Sequence, residues 1–214
     1  MSHQSQKQTQ LERIILFTDA VFAIAITLLA IEIKIPAVHE VNEQSVTNAF
    51  LSLTPRFIGF IISFFVIGVY WIAHHKVFAF AIDYDRKLLW LNMFLLMFIV
   101  LLPFSTGFYS EYSFLKLPFL VYSLNILTIG IFQSRLINHL SKPALSQGIN
   151  VWLRRYISYR GLVPGLFFLS IGIVQYFVPV QYVPLTRFFM MFTAVPFIIL
   201  RRYFAKKGVD TKNY

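Results

Sequence analysis

The sequence predicts an all-α membrane protein with six transmembrane helices. Three observations predict it. Of 214 residues, 57% are hydrophobic and 13% charged, where an average soluble domain carries roughly 25% charged residues. Six stretches each hold about 20 mainly apolar residues, enough to cross hydrocarbon as a helix rising about 1.5 Å per residue. Lys and Arg fall mostly on alternate loops. Soluble enzyme folds drop out, because a soluble fold of this length cannot hide so much apolar surface.

The elements follow in chain order. The polar start MSHQSQKQTQ lacks the basic start, short apolar core and small-residue cleavage site of a signal peptide. Residues 1–12 therefore read as an N-terminal segment, and the first apolar run as a retained helix. Span 1 covers 13–35 and stops at Pro36. Spans 2 to 5 cover 55–80, 87–108, 115–137 and 156–177. Span 6 covers 183–203, with a kink expected at Pro196. One membrane domain then occupies 13–203, and 204–214 form a tail. The stretch 146–156, with Trp152, Arg154 and Arg155, is expected to lie on the membrane surface as a short amphipathic helix. Gly161 and Gly165 in span 5 make a small-xxx-small pair that permits close helix approach.

Lys and Arg gather on the cytoplasmic side of membrane proteins. With the N-terminus inside, the inner set is Lys7, Arg13, Lys76, Arg86, Lys87, Arg135, Lys142, Arg154, Arg155, Arg160, Arg201, Arg202, Lys206, Lys207 and Lys212. The outer set is Lys34, Arg56, Lys116 and Arg187. The imbalance puts both termini in the cytoplasm of a multi-pass protein of the cell membrane. It also accounts for the +10 net charge as a topology signal, with lipid rather than nucleic acid as the partner. The loop after span 1 is acidic, with Glu40 and Glu43.

Zero cysteines exclude disulfides, thiolate metal sites and cysteine nucleophiles. His74 and His75 are adjacent, so on a helix they point about 100° apart and do not share a metal. No nucleophile–base pair stands at workable spacing. Neither enzymatic activity, a metal site nor a cofactor is expected.

Span 1 carries the unusual chemistry. Asp19 lies near its inner end, where an ionised carboxylate costs roughly 2.5–3.5 kcal/mol on insertion scales. It must face protein or water. Ile24, Thr27, Leu28 and Ile31 share one face at i, i+3, i+4 and i+7. By spacing alone such a stripe packs against neighbouring helices or faces lipid.

The string from Arg13 through Phe17, Thr18 and Asp19 into AVFAIAITLLAIEIKIP resembles the R-x-x-x-F-S-D signature of the transmembrane-protein-175 family of potassium channels, with Thr18 in place of Ser. YWIAHHKVF at 70–78, and Leu91-Asn92 leading to LPFST at 102–106, are similar to the family as well. The resemblance implies a homotetramer in which four copies of span 1 surround a pore. Ile24 would form the narrowest apolar ring, Leu28 and Ile31 further constrictions, and Thr27 a hydroxyl between them. Arg13, Phe17, Thr18 and Asp19 would form an inner network, supported by Trp71, His74, His75 and Asn92. Potassium would be the transported ion, flowing passively. The filter string T-V-G-Y-G is absent, so selectivity would come from the width and dewetting of the apolar ring. The alternative is a proton-coupled secondary transporter or a proton-permeable channel.

Overall fold

The computed structural model of the chain describes residues 3–211. Residues 1–2 of the N-terminal segment, and 212–214 of the tail with Lys212, lie outside it.

Helix α1 (His3–Ile31) has 29 residues, about 43 Å of helix against about 30 Å of hydrocarbon. It starts ten residues before the expected span. Gln, Lys and Glu are good helix formers, and lengthening an existing helix avoids a new nucleation cost. The loop before α4 clasps this extension. Lys7 Nζ lies 2.6 Å from the Asp83 carboxylate, and the Tyr84 hydroxyl donates to Gln10 Oε1.

A short helix, α2 (Glu43–Ser52), occupies the acidic loop after the first span. Asn42 caps it by accepting from the Ser45 N–H at 2.8 Å, and Glu43 sits in its first turn, where negative charge is favoured. α2 has no buried residue. Helix α3 (Thr54–Phe78) follows at once, with Pro55 in its first turn, where a missing N–H costs nothing.

The third span is broken. α4 (Arg86–Val100) and α5 (Leu102–Glu111) meet at Leu101, next to Pro103. Proline cannot donate to the carbonyl one turn back and clashes with it. The Ser105 and Thr106 hydroxyls both donate to the Leu102 carbonyl, at 3.0 and 2.8 Å.

α6 (Lys116–Leu140) and α7 (Val151–Val174) form a tight pair. A methyl on Gly130 would collide with the Gly161 carbonyl, and one on Gly165 with the Leu127 backbone. The 146–156 stretch is not a separate surface helix. Asn150 caps α7 by accepting from the Leu153 N–H at 2.7 Å, so Trp152 belongs to the first turn of α7. The loop after α6 pairs with the loop after α3, the Ile82 N–H donating to the Leu145 carbonyl at 2.9 Å.

Among the described residues, five helical stretches are long and apolar enough to cross a membrane: Gln6–Ile31, Glu43–Phe78, Arg86–Glu111, Lys116–Leu140 and Val151–Phe177. The stretch expected as span 6 is divided into α8 (Val183–Thr186), a 3₁₀ run Arg187–Thr193 and α9 (Ala194–Ala205). The break lies upstream of Pro196, which is the third residue of α9. There its missing N–H is one the helix start leaves unpaired anyway. An aromatic cluster joins α5, α6 and α7: Tyr109 stacks on Tyr122 at 5.5 Å, and Tyr122 meets Phe168 edge-on at 5.8 Å.

Candidate functional site

Helix α1 has two faces. Leu11, Thr18, Phe22, Ala25 and Leu29 are buried, at spacings of three, four and seven that stack them along one side. That side packs against α3, α4 and α5. The opposite side is uncovered in the single chain. Ile24 is 57% and Ile31 67% exposed; Ala20, Ala23, Thr27 and Ala30 are exposed on the same side, and Leu28 is half-buried. Only 22% of the most apolar stretch of α1 is buried, against 39 to 50% in the other four membrane stretches.

A chain of hydrogen bonds fastens the buried face near its inner end. His74 Nε2 donates to Asn92 Oδ1 at 2.9 Å. Asn92 Nδ2 donates to Thr18 Oγ1 at 2.8 Å, and the Thr18 hydroxyl donates to the Ile14 carbonyl at 2.9 Å. All three side chains are buried, and an unmade hydrogen bond there costs the full desolvation penalty. The amide of Asn92 fixes the direction of the chain: its oxygen only accepts and its nitrogen only donates. His74 is seated by stacking on Phe78 at 4.3 Å. Beside this chain, Trp71 Nε1 donates to Asp19 Oδ1 at 2.9 Å, so the carboxylate in the first span meets a donor from α3.

Three further sequence-expected residues sit differently. His75 is exposed, with its ring 5.8 Å from that of Trp71. Arg13 and Phe17 are exposed and line an open groove of about 420 Å³ whose wall includes Asn92 and Tyr84. Among the described residues, no three His, Cys, Asp or Glu side chains gather at metal-ligand range.

A second polar cluster went unnoticed in the sequence. Ser63 lies 2.7 Å from Thr106 Oγ1 and 2.9 Å from the Tyr122 hydroxyl, and Asn125 Nδ2 donates to Ser105 Oγ at 3.1 Å. It ties α5 to α3 and α6 just beyond the Pro103 break. The only signal for it was a few polar residues inside apolar spans.

Comparison with known proteins gives the family. The family model described as "Endosomal/lysosomal potassium channel TMEM175" matches residues 13–103, the part of the chain that holds Thr18, Asp19, Trp71, His74 and Asn92. A protein of Chamaesiphon minutus named as a potassium channel is 36% identical over 139 residues, covering 64% of this chain and 68% of that protein. The chain belongs to the TMEM175 family. The solved structure of a lysosomal potassium-selective channel TMEM175 homolog from the same organism superposes with a TM-score of 0.63 at 28% identity, covering 93% of this chain and 98% of that one. The human relative, named as an endosomal/lysosomal proton channel TMEM175, is 34% identical over 100 residues, and the chain spans 20% of it. As a TMEM175 member with several apolar helices, the chain is a multi-pass membrane protein.

Proposed function

We propose that the chain is one subunit of a homotetrameric potassium channel in which α1 lines the pore, both termini are cytoplasmic, and the broken segment 183–205 completes a sixth crossing. The uncovered face of α1 carries this reading. α1 is fastened on one side by Thr18 and Asp19, and the side bearing Ile24, Thr27 and Ile31 has no cover within the chain. Exposed Ala20, Ala23 and Ala30 give that face the small residues that let helix backbones approach closely. The names of the bacterial relatives support potassium as the cargo.

In such an assembly Ile24 from four subunits forms the constriction, and Leu28 and Ile31 narrow the pore farther out. Isoleucine does not coordinate an ion. It sets a width and a dewetting barrier. A sodium ion, which holds its water more tightly, loses more on passing than a potassium ion. Thr27 adds a polar step between the rings. Its hydroxyl hydrogen is spent on the Ile24 carbonyl at 2.9 Å, which leaves oxygen lone pairs as what the side chain offers a passing cation. Arg13 and Phe17, at the open groove, meet groups from a neighbouring subunit, and His75 supports Trp71. No cofactor takes part.

The test is reconstitution of purified protein in liposomes, with potassium flux measured beside oligomer mass. Potassium flux from a tetramer is expected. Saturable flux coupled to a proton gradient replaces the reading with a carrier. The proton-channel name of the chicken, human and mouse relatives supports a second reading, proton permeation through the same pore. A proton current without potassium in the bath tests it.

A further inference from the structure

A basic cleft opens between the start of α4 and the end of α6, and no residue of the α1 face described above lines it. It encloses about 480 Å³ and is lined by Lys87, Leu91, Arg135, Asn138, His139 and Lys142. Lys87 lies in the first turn of α4 and Lys142 just past the last residue of α6. The cations therefore stand at the membrane–water boundary, on the side where α1 begins.

The nearest carboxylate is already engaged. Asp85 accepts from the Leu88 N–H at 2.7 Å and lies 2.8 Å from His139 Nε2. Lys87, Arg135 and Lys142 are all exposed, so three cations face the cleft against one occupied carboxylate.

The walls change character toward the membrane interior, and on both helices in the same direction. On α4, Lys87 is followed on the same face by Leu91, Phe94 and Phe98. From Lys142 the α6 wall runs inward through Asn138, Arg135 and Phe132. Phe132 stacks with Phe94 at 5.5 Å and with Phe98 at 5.6 Å. The Arg135 guanidinium lies 6.0 Å over the Phe132 ring, which holds it where cationic wall gives way to aromatic wall.

A ligand for this cleft carries a phosphate at one end and a hydrocarbon chain at the other. We propose that the α4–α6 cleft binds the phosphate headgroup of an anionic phospholipid, with an acyl chain lying along Leu91, Phe94 and Phe132. Basic pockets between membrane helices recognise such headgroups, and each cation near the membrane surface contributes on the order of a fivefold gain in affinity. The apolar wall selects the lipid over a free phosphate ion, which has nothing to place there.

Native mass spectrometry of the full-length protein tests this, with phosphatidylglycerol and phosphatidylcholine of identical chains as probes. Wild type is expected to retain phosphatidylglycerol in preference to phosphatidylcholine. Lys87→Gln, Arg135→Gln and Lys142→Gln are each expected to lower that retention by about fivefold, whereas Lys116→Gln at the far end of α6 leaves it unchanged. The charge-keeping variants Lys87→Arg and Lys142→Arg keep the preference, which separates lost charge from lost fold. Equal retention of phosphatidylglycerol by wild type and the combined Gln variant overturns the proposal. So does inorganic phosphate that binds as tightly as the lipid in calorimetry, since the acyl wall then plays no part. The readout is lipid retention rather than ion flux, so its failure leaves the channel reading untouched.

Discussion

Asn92 Nδ2 stands 2.8 Å from the Thr18 hydroxyl across 74 residues of sequence, and through that bond α4 holds α1 in rotational register. Turning α1 far enough to break it would carry Thr18 out of its buried seat and swing Ile24 toward α3 or α4. The contact that fixes the helix thus also fixes which residues its free face presents.

Thr18→Val keeps the shape and removes the hydroxyl. It leaves the Asn92 amide without an acceptor in a buried place, at a cost of about 1–3 kcal/mol. A lower unfolding midpoint in detergent is expected, with recovery in Thr18→Ser. A Val variant as stable as wild type would show that the bond contributes nothing.

Asp19 and Trp71 allow charge to be separated from hydrogen bonding. Asp19→Asn still offers an oxygen to the indole N–H and is expected to stay folded and assembled. Asp19→Leu removes that acceptor and, because Trp71 is 40% exposed, is expected to lose about 0.5–1.5 kcal/mol of stability. If Asn and Leu behave alike in melting and sizing experiments, the carboxylate charge rather than the bond is what matters.

Ile24→Asn places a hydrated amide at the proposed constriction. Potassium over sodium selectivity is expected to fall toward unity, read as a shift in reversal potential in mixed solutions. An unchanged reversal potential moves the constriction elsewhere.

The α6–α7 seam is tested at its glycines. Gly130→Val and Gly165→Val drive a side chain into backbone and are expected to cost about 1–3 kcal/mol or more. At Gly68 a methyl meets nothing within 4 Å, so Gly68→Ala is expected to be neutral or slightly stabilising. Thermal unfolding of the three variants side by side checks the contrast.

Asp85 sets a pH dependence. Burial opposes its ionisation, but the Leu88 N–H, His139 and Lys142 outweigh burial and hold the carboxyl below its ordinary 3.8. A carboxyl depressed in the folded state contributes stability that is full above the unfolded value and is lost as pH falls through the folded one. The wild-type unfolding midpoint is expected to drop below about pH 4 more steeply than that of Asp85→Asn. Parallel curves for the two would remove Asp85 from the account.

The long apolar runs were legible because a membrane crossing has a length and a composition, and five of them stand as helices. Helix ends were less so. The extension of α1 to His3 depends on Lys7 meeting Asp83 and Gln10 meeting Tyr84, both more than 70 residues away. The Pro103 break was visible as a residue but not as a division of span 3, since proline within a span marks a kink without giving its size. α2 was missed because it is short, exposed and lies among polar residues. Within the site, Asp19 declared itself by its cost in hydrocarbon. Its donor, 52 residues on, did not, because spacing along one helix says nothing of the helix beside it.

The placement of the α1 fastenings has a mechanical result. The hydrogen bonds from α3 and α4 reach the membrane part of α1 at Thr18 and Asp19, and farther along the buried Ala25 and Leu29 are held by apolar packing. Ile24 is six residues from this pivot and Ile31 thirteen, about 9 and 20 Å. Any lean of the helix about Thr18 therefore moves the far end roughly twice as much as Ile24, a lever with its short arm at the proposed constriction.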